Sequence, residues 1–137
     1  MRRVVLATLL AIVSPACGDP VPLMEIGFSS QTLLEEASLV AIYFYPGDGA
    51  APATCTSVRS AFPRGMSLLG PFSVIVDAER RESGLSTTID TVPVGRYVVL
   101  ADAYKDNGAL AGSGCAEGQE VQNQRVSPIR ITINTPP

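Results

Sequence analysis

From Leu39 to Tyr45 the chain reads Leu-Val-Ala-Ile-Tyr-Phe-Tyr, β-branched and aromatic along its whole length, and it is stopped by Pro46-Gly47-Asp48-Gly49. Apolar residues on both faces predict a strand in the middle of a sandwich, or one that offers its Tyr43/Tyr45 face for contact. Residues Leu23 to Phe28 predict a strand before it, and Thr32-Leu33-Leu34-Glu35 has the spacing of a capped helical turn. From Gly47 to Pro71 no steady period is found and Gly, Ala, Pro and Ser prevail, which predicts a long connection with one helical turn near Thr56 to Ala61.

Alternation returns at Phe72-Ser73-Val74-Ile75-Val76-Asp77 and predicts a strand, with Glu79 to Gly84 as a charged turn and Leu85 to Ile89 as the next strand. Arg96 to Lys105 then places Tyr97, Val99, Ala101 and Ala103 on one face and Val98, Leu100, Asp102 and Tyr104 on the other. Asn107-Gly108 between two apolar runs is a hairpin signal, because its tight turn needs residues that accept positive φ. The partner strand runs from Ala109 towards Cys115, with Gly112 and Gly114 as bulge or close-packing positions. A turn is expected at Glu117-Gly118-Gln119, and Val126 to Ile133 is expected as the last strand. About seven short strands, no long amphipathic helix and no repeat describe an all-β fold, an antiparallel sandwich of the immunoglobulin or transthyretin kind.

The run Ile89-Asp90-Thr91-Val92-Pro93-Val94-Gly95-Arg96-Tyr97-Val98-Val99 resembles the turn and strand of carboxypeptidase regulatory-like and transthyretin-like domains, in which a Pro-x-Gly-x-Tyr segment enters a central strand. The resemblance spans about Thr87 to Ala116 and implies a structural role for Pro93, Gly95 and Tyr97, the tyrosine capping a corner.

The amino terminus is of another kind. Met1-Arg2-Arg3, an apolar stretch from Val4 to Val13 and Ser14-Pro15-Ala16-Cys17 have the layout of a secretory signal, and ten apolar residues are half of the roughly 20 that a spanning helix needs. Ala16-Cys17-Gly18 resembles the end of a bacterial lipobox, although Ser14 and Pro15 depart from it upstream. The resemblance implies a signal peptide over residues 1–16, a lipidated Cys17 with a tether over 17–22, and a β-sandwich domain over 23–137. Cleavage by the general signal peptidase, giving a soluble periplasmic or secreted protein, is the alternative. Three cysteines are an odd number for an exported chain, and a lipidated Cys17 leaves Cys55 and Cys115 to pair in an oxidising compartment, the alternative being two buried thiols.

Ten basic and thirteen acidic side chains give a net charge of −3, and loss of Arg2 and Arg3 with the signal leaves eight against thirteen, a net −5. With one lysine, Lys105, and no basic stripe, nucleic acid is excluded as an expected partner. The absence of histidine excludes Ser-His-Asp and Cys-His catalysis and removes the commonest metal ligand. Lys105 adjoins a turn and is expected to be solvated, unfit as a base. The pairs Asp77/Glu79, Asp102/Asp106 and Glu117/Glu120 lack the ligand density of a calcium loop.

No catalytic residue, no metal and no cofactor is therefore expected. The expected function is that of a non-catalytic, lipid-anchored protein of the cell envelope, presenting its sandwich to a protein or polysaccharide. The candidate contact surface is the Gly47 to Pro71 loop with Arg59 and Arg64, followed by the Tyr43/Tyr45 face. A soluble periplasmic or secreted carrier of a small ligand is the alternative.

Overall fold

The computed structural model describes residues 21–61, 64–65, 67–90, 92–123 and 128–136. The signal peptide, Cys17 and Val126 lie outside the described residues. The elements in chain order are β1 (Leu23–Phe28), α1 (Gln31–Glu36), β2 (Leu39–Pro46), α2 (Cys55–Ser60), β3 (Leu69–Ile75), α3 (Ala78–Ser83), β4 (Leu85–Thr88), β5 (Gly95–Tyr104), β6 (Leu110–Val121) and β7 (Ile129–Ile133).

The strands form an all-β sandwich of two sheets, one ordered β4-β1-β7 and the other β3-β2-β5-β6. All neighbours are antiparallel except β1 and β7, which run parallel from Met24 opposite Ile129 to Phe28 opposite Ile133. That parallel pair closes the chain on itself, since its first and last described strands are neighbours. The period-2 pattern explains the burial: Met24 and Ile26 of β1 and Ile129, Ile131 and Ile133 of β7 point inward, while Glu25, Arg130 and Thr132 face solvent. From the other sheet Val40, Ile42 and Phe44 of β2 meet Tyr97, Val99, Ala101 and Ala103 of β5 in the same core. The Phe44 ring sits edge-on to Tyr97 at 5.5 Å and to Phe72 at 5.9 Å, an arrangement aromatic quadrupoles favour.

Where β7 crosses β6 the backbones nearly touch. An added Cβ would lie 2.4 Å from the Thr132 carbonyl oxygen at Gly114 and 2.6 Å from that of Asn134 at Gly112, so only glycine fits at the crossing. Ser113 between them exchanges two backbone hydrogen bonds with Asn134, at 2.9 and 3.0 Å, and stitches the two sheets at this corner.

Several local expectations need correction. The stretch from Glu79 to Gly84 is not a simple charged turn, because the Asp77 side chain accepts the Arg80 N–H at 2.9 Å and starts α3. Ser30, not Thr32, caps α1 by accepting the Leu33 N–H. The strand expected from Phe72 begins at Leu69 and includes Pro71, which as an edge residue gives up no ladder bond to a further strand. Glu117-Gly118-Gln119 does not turn the chain either. With Tyr97 opposite Gln119 and Val99 opposite Ala116, Glu117 and Gly118 share one partner in a bulge, and Gly118 takes φ +64° there. The hairpin after β5 uses three loop residues, Asp106 to Gly108, because Lys105 pairs with Ala109 and Gly108 donates back to the Lys105 carbonyl at 2.9 Å. Gly108 adopts φ +80°, and Asn107 Oδ1 accepts the Ala109 N–H at 3.0 Å.

Candidate functional site

The outer face of the β3-β2-β5-β6 sheet carries a second, smaller core. Tyr45 of β2 and Val98 and Leu100 of β5 are buried there under Val58 of α2, with Tyr43, Ala53, Cys55 and Cys115 around them. The described residues of the Gly47 to Leu68 connection are thus folded down as a cover, which accounts for the apolar character of β2 on both faces.

Three devices hold the cover. Thr54 starts α2 with a reciprocal capping box, its side chain accepting from the Ser57 N–H at 3.1 Å while the Ser57 hydroxyl accepts from the Thr54 N–H at 3.0 Å. Cys55 at the first position of α2 is disulfide-bonded to Cys115 of β6, with the Cα atoms 5.8 Å apart. The pairing expected from the cysteine count is therefore present, and the Cys55 N–H also donates to the Glu117 carboxylate.

The third device is a buried ion pair between Arg64 and Asp102. Asp102 lies in the middle of β5 on the outer face and is fully buried, and the Arg64 side chain is 6% exposed. Arg64 Nε donates to one carboxylate oxygen at 2.7 Å and Nη2 to the other at 2.9 Å, the two-point match that guanidinium and carboxylate geometry allow. Nη1 donates to the Arg59 carbonyl at 2.8 Å and the Ala61 carbonyl at 3.1 Å, so the same side chain satisfies the free carbonyls at the end of α2. The hydrogen bond to Asp102 raises the Arg64 pKa further above its ordinary range. Beside the pair, burial pushes the Tyr104 phenol well above the usual tyrosine range, and the neighbouring Tyr43 adds to the shift. Burial raises Tyr45 as well, and its hydroxyl donates to the Gly65 carbonyl at 3.4 Å.

The four residues of the candidate contact surface are thereby separated. Tyr45 and Arg64 lie inside, where they bind the loop to the sheet, and Tyr43 is partly buried against Tyr45 with ring centroids 6.3 Å apart. Arg59 of α2 is exposed, with its Nη2 donating to the Ser113 carbonyl of β6 at 3.2 Å, and Asp48 to Pro52, Thr54, Thr56 and Ser57 are exposed along the cover. Pro93, Gly95 and Tyr97 meet at the opposite end of β5, where the buried Tyr97 hydroxyl donates to the Pro93 carbonyl at 2.7 Å.

Each of the acidic pairs has a member engaged structurally: Asp77 caps α3, Asp106 accepts from the Ser38 hydroxyl, and Glu120 pairs with Arg96 at 2.7 Å. Lys105 is half-exposed and pairs with Glu36 at 3.0 Å. Among the described residues no group of three or more metal-ligating side chains converges, and no helix is long and apolar enough to cross a membrane. Sequence reasoning put Arg64 and Asp102 in different roles, and their pairing across 38 positions left no local pattern. No family model, curated protein or solved structure matches the chain.

Proposed function

We propose that this chain is a lipid-anchored protein of the cell envelope, held by Cys17, whose sandwich presents the Gly47 to Leu68 cover as a rigid, non-catalytic surface for contact with a protein or polysaccharide. The observation that carries this reading is the way the cover is built. It is tied down by a disulfide, a buried two-point ion pair and a capped helix, while its outward side chains stay in water. A connection that served only to join two strands would need none of these, whereas a recognition surface gains from being ordered before its partner arrives. The Pro93-Gly95-Tyr97 corner supports the carboxypeptidase regulatory-like or transthyretin-like reading of the domain, since the tyrosine hydroxyl bonds back to the backbone there.

Two measurements in cells test the proposal. A clickable fatty acid should label the wild type and leave Cys17→Ser unlabelled. A photo-crosslinker placed at Thr56 should give a discrete adduct with an envelope component, and the same group at Ser86 on the other sheet should not. Equal labelling of wild type and Cys17→Ser removes the anchor, and adducts of equal yield from both faces remove the contact surface.

A further inference from the structure

At the β6 edge of the cover lies a cleft of about 300 Å³, walled by Arg59 and Arg64 on one side, Leu110 and Ser113 of β6 at its base, and Asn134 and Pro136 of the segment after β7 on the other side. Both walls are fixed before any ligand arrives. The disulfide and the Asp102 pair hold the arginine side, and the two Ser113–Asn134 backbone bonds hold the other.

Its charge is not balanced internally. Arg64 is matched by Asp102, but Arg59 makes no ion pair among the described residues, and its Nη2 donates to the Ser113 carbonyl at 3.2 Å. Among the described residues no carboxylate lines the cleft, in a chain whose acidic side chains outnumber the basic ones by three. The Ser113 hydroxyl is buried at the base of the cleft without a hydrogen-bond partner, so one donor there is unused. The volume is at the lower end of the range for small-molecule sites, about 300–1,000 Å³, and Leu110 and Pro136 make part of the wall apolar.

We infer that this cleft binds a compact carboxylate on an apolar body, with Arg59 taking the carboxylate and Leu110 and Pro136 receiving the body. One unmatched guanidinium suits a singly charged group better than a phosphate dianion, and its planar fork matches a carboxylate in two-point fashion. Arg59 is exposed and can turn to a ligand without breaking an ion pair. The inference rests on the contact-surface reading and deepens it, since it names what the inner edge of that surface recognises. The carboxylate has two sources with the same chemistry, a free small acid and the end of a peptide chain.

The test is titration of the full chain in detergent, followed by amide shifts in two-dimensional NMR. Phenylacetate represents the free acid and N-acetylphenylalanine the peptide end, with N-acetylphenylalaninamide and phenyl phosphate as comparisons. Saturable shifts at Arg59, Ser113 and Asn134 are expected with one or both carboxylates, the stronger of the two identifying the source. The amide and the phosphate should bind about tenfold more weakly or worse, and Arg59→Gln should weaken carboxylate binding by about tenfold. Ser113→Ala should weaken it by a smaller factor. Equal binding of acid and amide, stronger binding of the phosphate, or an unaffected Arg59→Gln overturns the inference. The Thr56 crosslink separates the two readings: a cleft that binds no carboxylate while the crosslink persists sinks the cleft alone. Loss of the wild-type crosslink with carboxylate binding intact sinks the contact surface and leaves the cleft.

Discussion

Gly114 shows how much a single position decides in this fold. It carries no side chain because β7 passes so close to β6 that a methyl group would meet the Thr132 carbonyl at 2.4 Å and the Ile131 side chain at 2.6 Å. The obstacle is partly backbone, so relief requires the two sheets to move apart at the corner where Ser113 and Asn134 join them. Gly114→Ala should therefore destabilise the domain by about 1–3 kcal/mol, the usual cost of overpacking. Gly65→Ala, at an exposed position with open space around it, should stay within about 0.5 kcal/mol of the wild type. Chemical denaturation of both variants checks the pair, and equal midpoints would mean that the crossing is looser than its distances state. Close packing was one of two readings open for Gly114 in the sequence, because a glycine in a strand does not reveal which of its uses applies until the crossing strand is placed.

Elements were legible where one periodic signal dominated. Leu23–Phe28 is a strand with the expected bounds, and the Leu39 strand extends by one residue to Pro46. The misses have physical causes. Asp77 could be read as the end of a strand or as a helix cap, and charge in the next residues pointed to a loop, yet one side-chain-to-backbone bond starts α3. Glu117-Gly118 looked like a turn because positive φ serves turns and bulges alike. The cover was read as a loop stapled by one disulfide, whereas Arg64 and Asp102 add a second anchor that only the course of the chain reveals. Removal of one partner leaves a buried charge unmatched, so Asp102→Asn and Arg64→Gln should each cost about 3–5 kcal/mol. Replacement of both by Leu and Met should recover most of that loss, since apolar pairs of similar size commonly replace buried ion pairs without penalty. In the single variants limited proteolysis should cut first between Gly47 and Leu68, even with the disulfide intact. Cleavage starting elsewhere, or a double variant as unstable as the singles, would show that the pair does not hold the cover.

On the scale of the whole molecule, the two cores and the cover make stability depend on pH on the alkaline side. Three of the four tyrosines, Tyr45, Tyr97 and Tyr104, have phenols raised above the ordinary value of 10.0, in each case chiefly by burial. Tyr97 belongs to the core between the sheets, and Tyr45 and Tyr104 lie on the outer face that the cover adjoins. The folded protein keeps these protons at a pH where the unfolded chain has released them. Stability from this source is therefore complete below pH 10 and is lost as pH rises above that value, through the folded-state pKa values. The slope is at most about 1.4 kcal/mol per pH unit for each tyrosine, and smaller for Tyr104, which is only half-buried and hence partly screened by solvent. Denaturation midpoints taken in steps from neutral pH upward should stay level on this account to about pH 10 and then fall, with tyrosinate absorbance appearing in the same step as loss of structure. Tyr104→Phe removes one of the three groups and should make the fall shallower, although loss of the hydroxyl beside Tyr43 also lowers the starting value. Because the comparison is of slopes, that lower starting value does not obscure it. A profile that remains level above pH 10, or tyrosinate formed by all three phenols in protein that is still folded, would show that these side chains are more open to water than their places between the sheets and on the outer face state.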